Sequence, residues 1–133
     1  MTDFLIVLAT AAKAALCASS ELADIVGDRI YDHIPPNTVY PYIADVDHEA
    51  EPDDTDVSED NIIDWTLHVY SQYDGTKECY EIIGLIDDIL RNPDFECEGL
   101  TNIDRSFRAV VPDGDGKTRH GIVRYRVRME KEV

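Results

Sequence analysis

The amino-acid sequence predicts an α+β fold in which an antiparallel sheet of about four strands has two main helices packed on one face. Two segments carry apolar residues at helical spacing. Other segments alternate apolar and polar residues as strands do, and a Pro-Asp-Gly-Asp-Gly turn over 112–116 joins the last two of them. The predicted order of elements is α-α-β-β-α-β-β, in a single domain over residues 1–133.

The first 32 residues predict two helices and a short extended segment. Apolar residues recur at helical spacing over 4–16, and Thr2 can cap the first turn of this helix. A second, shorter helix is expected over 21–26, where Gly27 ends it. Residues 29–32 are expected to be extended.

Two strands and the second main helix are predicted between residues 39 and 90. Residues 39–46 form the first of these strands, and Pro41 places it at a sheet edge or at a bulge. Residues 61–73 form the clearest strand, because apolar side chains occupy alternate positions. We expect this apolar face to be buried against the helices; it consists of Ile63, Trp65, Leu67 and Val69. An apolar stripe predicts the helix over 79–90.

The last quarter of the chain predicts a hairpin with strands over 103–111 and 121–129. One face of its second strand is apolar, and the other carries Arg124, Arg126 and Arg128. Three like charges on one strand face repel one another unless acids or phosphates lie opposite. Two interpretations carry equal weight: the arginines pair with acidic strands of the same chain, or they form a subunit interface with acids of a neighbouring copy.

Charge is the most unusual property of this sequence. The 28 acidic and 12 basic residues give a formal net charge of −16, so a broad grip on nucleic acid or on an anionic membrane is not expected. The charge is uneven, because residues 1–60 hold 14 acids and 2 bases whereas residues 101–133 hold 5 acids and 8 bases. This asymmetry indicates contacts between unlike surfaces, within one molecule or between copies.

Residues 45–60 concentrate the acidity, with nine carboxylates in 16 positions. So many like charges cannot all be buried, so the segment must be solvated or matched to a basic partner. We expect an acidic loop or an extended hairpin here, mobile in a monomer.

No pattern in the sequence predicts catalysis, a cofactor or a metal site. The turn over 113–116 and the run over 45–50 resemble the start of a calcium loop, but Arg124 and Ala50 stand where such loops need glutamate and glycine. The four histidines lack ligand spacing, and no nucleophile motif is present. Three separated cysteines favour a reducing compartment. Neither a signal peptide nor a membrane span is predicted.

The order of the motifs resembles a known family. An alanine-rich first helix is followed by Val-Gly-Asp-Arg-Ile-Tyr-Asp over 26–32, Ile-Pro-Pro over 34–36 and Tyr-Pro-Tyr-Ile over 40–43. Leu-His-Val-Tyr-Ser over 67–71, an apolar helix, the Asp-Gly-Asp-Gly turn and an arginine-rich strand come later. This set resembles the tail-completion or tail-terminator proteins of long-tailed phages and gene transfer agents. Residues 45–60 are longer and more acidic than that pattern.

The resemblance implies a structural protein of a virion or phage-like particle, made in the bacterial cytoplasm. Such proteins form a ring, usually of six copies, that ends the tail tube and joins it to the head-side connector or stopper protein, while DNA passes through without specific binding. It implies no catalysis and no cofactor. In such a particle we expect seven of the nine acids of residues 45–60 to dock onto a partner or to face the lumen; they are Asp45, Asp47, Glu49, Glu51, Asp53, Asp54 and Asp56.

A second function fits the charge. An acidic protein can imitate the phosphates of DNA and occupy a nucleic-acid-binding partner, as a DNA mimic or inhibitor does. The basic last strand fits this alternative poorly. A ring requires heterologous contacts between two different surfaces of the chain, and an acidic portion and a basic portion supply them.

Overall fold

Three helices and a five-stranded sheet make up the part of the chain that the structure describes. The computed structural model describes residues 3–132. The elements in chain order are α1 (Phe4–Ala18), α2 (Ser20–Val26), β1 (Ile30–Tyr31), β2 (Tyr42–Pro52), β3 (Ser58–Ser71), α3 (Lys77–Leu90), β4 (Leu100–Pro112) and β5 (Arg119–Glu132).

The sheet is mixed, with the strand order β1-β2-β3-β5-β4. Every neighbouring pair is antiparallel except β1 and β2, which run parallel. The α+β class is therefore confirmed, but the expected antiparallel sheet of about four strands is a mixed sheet of five. The segment over 29–32 that was expected to be extended contains β1, which pairs parallel with β2. A strand of two residues is too short to show an alternation of apolar and polar side chains. Its position depends on pairing with β2, where the Ile43 amide donates a hydrogen bond to the Arg29 carbonyl at 3.0 Å.

The core lies between the helices and one face of the sheet. The predicted apolar face of β3 is buried, with Trp65 and Leu67 each 1% exposed. The alternate apolar positions of β5 are buried beside it, and α3 contributes its predicted stripe. Because the helices cover only this face, the other face of the sheet carries the polar and aromatic side chains.

The helix ends follow ordinary capping chemistry. Asp3 caps α1, and its carboxylate accepts a hydrogen bond from the Leu5 amide at 2.8 Å. The predicted cap Thr2 lies outside the described residues. Ser19 caps α2, which meets α1 at 90°. Among the described residues, no single helix is long and apolar enough to cross a membrane; α1 and α2 reach that length and composition only as a bent pair.

Residues 45–60 belong to a long hairpin formed by β2 and β3. The strand predicted over 39–46 begins only after Pro41 and continues to Pro52, because Asp47, Glu49 and Glu51 remain exposed to water while the backbone pairs with β3. One extra residue in β2 between Ala44 and Asp47 makes a bulge. Beyond the bulge, Asp47 lies opposite Thr66 on the face without helices.

Candidate assembly surface

The face of the sheet that no described helix covers is organised in rows across four strands. The registers of β2, β3, β5 and β4 align the side chains of this open face. From one end to the other the rows are Tyr42, Tyr70, His120 and Val111; Ala44, His68, Ile122 and Ala109; Asp47, Thr66, Arg124 and Phe107; Glu49, Asp64, Arg126 and Asp104; and Glu51, Ile62, Arg128 and Asn102. The first two rows are aromatic or apolar, and the last three are mostly polar or charged.

Stacked rings form the aromatic end of the open face. The Tyr70 and His120 rings lie 4.6 Å apart at an interplanar angle of 10°, and the Tyr42 and Tyr70 rings lie 5.1 Å apart. The Tyr40 ring packs 5.2 Å from Tyr42. Burial and the neighbouring tyrosines raise the pKa of Tyr42 to about 12. Burial is also the main cause that raises the pKa of Tyr70 above its ordinary value. The Tyr42 and Tyr70 phenols stay neutral at physiological pH, so this end presents uncharged aromatic rings.

A pair of histidines joins the two ends of the open face. His68 Nδ1 and His120 Nε2 are 2.7 Å apart, within one hydrogen bond. On its other side, His68 Nε2 lies 3.3 Å from the Asp47 carboxylate. Burial and the adjacent His68 lower the pKa of His120, against a smaller opposing effect from Asp113. The sequence offered no signal for this pair, because the two histidines are 52 residues apart.

Arg128 is satisfied within its own chain. Its guanidinium lies 2.7 Å from Asp53, 2.6 Å from Asp60 and 3.1 Å from Glu130. Hydrogen bonds to Asp53, Glu130 and Asp60 raise the pKa of the guanidinium further above its ordinary value. For this arginine the structure supports the first of the two interpretations, which is pairing with acids of the same chain.

Arg124 and Arg126 remain more open. Arg124 Nε donates to Thr66 Oγ1 at 3.1 Å, and its guanidinium lies 5.4 Å from the centre of the Phe107 ring. Arg126 approaches Asp64 only at 3.9 Å, and its side chain is 58% exposed. These two cations and the exposed Phe107 ring are available to a partner.

The acids of β2 separate into two groups. Asp47, Glu49 and Glu51 lie on the open face. Asp45 lies at the bulge, and its carboxylate accepts a hydrogen bond from Trp65 Nε1 at 2.7 Å. Burial raises the pKa of Asp45 above its ordinary value. Asp45 therefore orients the Trp65 side chain through this hydrogen bond. It does not lie in the same row of side chains as Asp47, Glu49 and Glu51, which were expected to share its role.

The tip of the hairpin is a compact turn. The Asp53 amide donates a hydrogen bond to the Asp60 carbonyl at 2.8 Å, and the Asp54 carboxylate accepts one from the Asp60 amide at 3.1 Å. Thr55 closes the turn through its hydroxyl. Asp56 is exposed at the end of the turn, and the neighbouring Val57 is 74% exposed. An apolar side chain thus stands at the most acidic point of the molecule.

The candidate calcium loop is an ordinary hairpin turn. The Asp115 carboxylate accepts hydrogen bonds from the Thr118 hydroxyl and from the Thr118 and Lys117 amides, and these bonds lower the pKa of Asp115 to about 2. Within residues 3–132, no three histidine, cysteine or acidic side chains are grouped as metal ligands. The cysteines are unpaired, and burial raises the pKa of Cys79 to about 11.

A second surface lies on the helical side of the molecule. Ile25 of α2 and Tyr80, Gly84 and Leu85 of α3 line a groove of about 460 Å³. Four acids surround it: Glu21, Asp24, Glu81 and Asp88. No sequence pattern predicted this groove, although Gly84 inside the apolar helix pattern of α3 was a usable signal.

Comparison with known proteins gives two similarities. A family profile described as "Tail completion protein gp17" matches residues 10–130. The fold is also similar to a chain of a solved structure described as "Virion of native gene transfer agent (GTA) particle", with a TM-score of 0.88 over 98% of this chain and 100% of that chain. The two chains are 18% identical, so this likeness concerns the fold alone. No curated protein matches the sequence.

Proposed function

Because the chain belongs to the tail completion protein gp17 family, we propose that it forms a ring, of six copies, that ends a tail tube and joins it to the head-side connector or stopper protein. The chain is a structural component of a virion or phage-like tail. No catalytic step is part of this function. The resemblance found in the sequence, to tail-completion proteins of phages and gene transfer agents, is confirmed by the family match.

The observation that carries the ring is the open face of the sheet. A closed ring needs one surface of each copy to meet a different surface of the next copy. The open face has an apolar end and a charged end, and the helical side of the same chain is acidic. A single chain therefore presents two unlike surfaces that can repeat around an axis.

Within this ring we propose that the subunit interface includes the face of β5 that carries Arg124, Arg126 and Arg128. Arg128 already pairs with Asp53 and Asp60 of its own chain. Its part in the interface is therefore to fix the hairpin against β5. Arg124 and Arg126 are exposed and supply the contact with acids of the neighbouring copy.

DNA would pass through such a ring without binding to it. Each copy carries a net charge of −16, and repetition around an axis multiplies this charge. A strongly acidic conduit repels phosphates and lets the genome slide. The same charge also suits a DNA mimic, but a mimic acts as a monomer or dimer and needs no tail.

Reversal of two arginines tests the ring. The double variant Arg124→Glu with Arg126→Glu should stay folded, because both side chains are exposed. When this variant replaces the unmodified protein during particle assembly, electron microscopy should show headless tails or tails of irregular length. The matched control is Lys117→Glu with Lys131→Glu, two exposed lysines away from this face. Normal joined particles from the arginine variant would remove these residues from the interface.

We further propose that the hairpin tip docks onto an adjacent ring, either the tail tube or the connector. A lumen lining needs only charge, whereas docking needs shape. The exposed Val57 among acids and the turn closed by Thr55 favour docking. The ladder of β2 and β3 continues to Pro52 and Ser58, so the tip stands at the end of a paired arm.

Two hairpin variants separate docking from lumen lining. In the first, Asn-Gly replaces residues 54–59, which keeps Asp53 and Asp60 on Arg128 and supplies a two-residue hairpin turn. In the second, Val57→Asp keeps the length and adds charge. Docking predicts few joined particles from both variants. Lumen lining predicts normal joining by Val57→Asp, and normal joining by both would exclude both roles.

A further inference from the structure

We infer that the groove between α2 and α3 receives Phe107 and the flanking arginines from the open sheet face of the neighbouring copy. This inference rests on the proposed ring and names the acids that meet Arg124 and Arg126. They are the acids around the groove, and the acids of residues 45–60 are not required for this contact.

Gly84 supplies the first argument. It lies in the middle of α3, where glycine costs about 1 kcal/mol relative to alanine. The other six glycines either have positive φ, contact neighbouring atoms closely or stand in the turn over 113–116. A Cβ added at Gly84 would meet nothing within 4 Å. Nothing inside the described chain requires a glycine there, which indicates close approach by a group from outside.

The charges around the groove supply the second argument. Glu21, Asp24 and Asp88 are exposed, and no basic side chain of the described residues lies within 4.0 Å of their carboxylates. Glu81 pairs only with the exposed Lys77, at 3.7 Å. Four carboxylates thus surround a floor formed by Ile25, Tyr80, Gly84 and Leu85, and Arg108 of the same chain lies 6.0 Å from the centre of the Tyr80 ring. This groove fits a partner that presents an apolar side chain to the floor and basic side chains to the surrounding carboxylates.

The open sheet face presents that combination. Phe107 is 45% exposed, Arg124 stacks beside its ring, and Arg126 is in the next row. Asp47 and Glu49 share this face but lie on β2, two strands from β5, which is about 10 Å away. Asp64 on β3 and Asp104 on β4 lie beside Arg126, and the Asp104 carboxylate accepts a hydrogen bond from Asn102 at 2.8 Å. A neighbour placed over β4 and β5 therefore meets Phe107, both arginines and Asp104, and it avoids Asp47 and Glu49.

The contact is heterologous, as a ring requires. The groove and the Phe107 face lie on opposite sides of the sheet, because α3 packs on one face of β5 and Arg124 projects from the other. Each copy can therefore receive one neighbour in its groove and insert its own Phe107 into the other neighbour. A closed ring of such contacts leaves no groove empty.

Filling the groove is the first test. Gly84→Trp should leave the fold intact, because space is open and glycine is the poorest helix residue after proline. Joined particles should fall about tenfold or more. The control is Ala14→Trp, an exposed position of α1 outside the groove. Near-normal joining by Gly84→Trp would overturn the inference. If Arg124→Glu with Arg126→Glu blocks joining in the same assay, the proposed ring still stands.

Crosslinking gives a positive test. Gly84→Cys and Phe107→Cys are introduced together with Cys17→Ser and Cys97→Ser, which leaves Cys79 as the one native thiol, buried in the core. Oxidation of purified particles should give a ladder of covalent oligomers from the double cysteine chain and monomers from each single cysteine chain. If assembled particles contain the double cysteine chain but give no covalent oligomers, Phe107 of the neighbouring copy does not lie in the groove. Particles that lack the protein would refute the ring itself.

A charge exchange gives the third test. Glu81→Arg with Asp88→Arg should reduce joining, and so should Arg124→Glu with Arg126→Glu. The four changes in one chain restore opposite charge across the contact, so joining should recover in part. Failure of the combined chain to recover, with a normal melting curve, would argue against this pairing of surfaces.

Discussion

The Arg128 guanidinium on β5 lies 2.6 Å from the carboxylate of Asp60, a residue only 1% exposed near the start of β3. One oxygen of that carboxylate, Oδ1, has no hydrogen-bond partner among the described residues. Arg128 also contacts Asp53 across the hairpin. This arginine therefore joins the acidic hairpin to the rest of the sheet, and a buried charge depends on it.

Replacing Arg128 alone should destabilise the fold. Arg128→Met leaves the Asp60 carboxylate buried without its cation, and an uncompensated buried charge is costly. We expect a clear fall in the urea midpoint. Arg128→Met combined with Asp60→Leu should recover most of it, since apolar replacement of both partners is tolerated. Arg126→Met, whose contact is exposed, should change the free energy of unfolding by at most about 0.5 kcal/mol. Equal midpoints for all three variants would contradict this account.

Leu67→Asp should prevent folding. Leu67 is 1% exposed in the core under the helices, and an unpaired charge there costs several kcal/mol, roughly the whole stability of a domain of this size. The variant should be insoluble or lack a cooperative melting transition. Val57→Asp, at the exposed hairpin tip, is the matched control and should melt as the unmodified chain does. A soluble, cooperatively folded Leu67→Asp protein would show that the buried face of β3 is misassigned.

His120 should make the stability depend on pH. The fold lowers the pKa of this imidazole, so the unfolded chain takes up its proton first as pH falls. This contribution is complete above about pH 6.5 and is lost as pH falls from there towards the lowered value. His68, Tyr70 and Asp113 are the neighbours of His120, and Asp47 contacts only the far nitrogen of His68.

The measurement compares urea midpoints between about pH 7.5 and 5. His120→Gln removes the titration, so its curve should be flatter than that of the unmodified chain. The control His33→Gln, at an exposed position, should keep the original slope. Parallel curves for His120→Gln and the unmodified chain would mean that the imidazole pair does not contribute.

Asp45→Asn should stabilise the protein at neutral pH. The fold raises the pKa of Asp45, so its charged form is disfavoured there, and stability from this site grows as pH falls through the raised value. Asparagine keeps an oxygen that accepts the Trp65 hydrogen bond without the charge. The urea midpoint should rise at pH 7, and the gain should vanish near pH 3. Asp56→Asn at the exposed tip should change little at either pH; a fall at pH 7 for Asp45→Asn would contradict this account.

Local pattern was enough to predict the helices and long strands of this protein. Alternation in β3 and β5 defined the buried faces, because a side chain in a strand points to the face opposite to that of its neighbour. The ends were less predictable. The strand predicted over 39–46 continues to Pro52 because its backbone pairs with β3, although its acids carry no apolar alternation.

The sequence by itself determined the α+β class, the acidic character, the arginine stripe on β5 and the family resemblance, since each of these depends on local spacing or composition. Only the tertiary structure decided which charges meet. Strand register brought Arg128 to Asp53 and Asp60, and His68 to His120, across 52 to 75 residues. The bulge in β2 turned Asp45 towards Trp65 and the next acids towards the open face. Such pairings depend on long-range register, which no local pattern encodes.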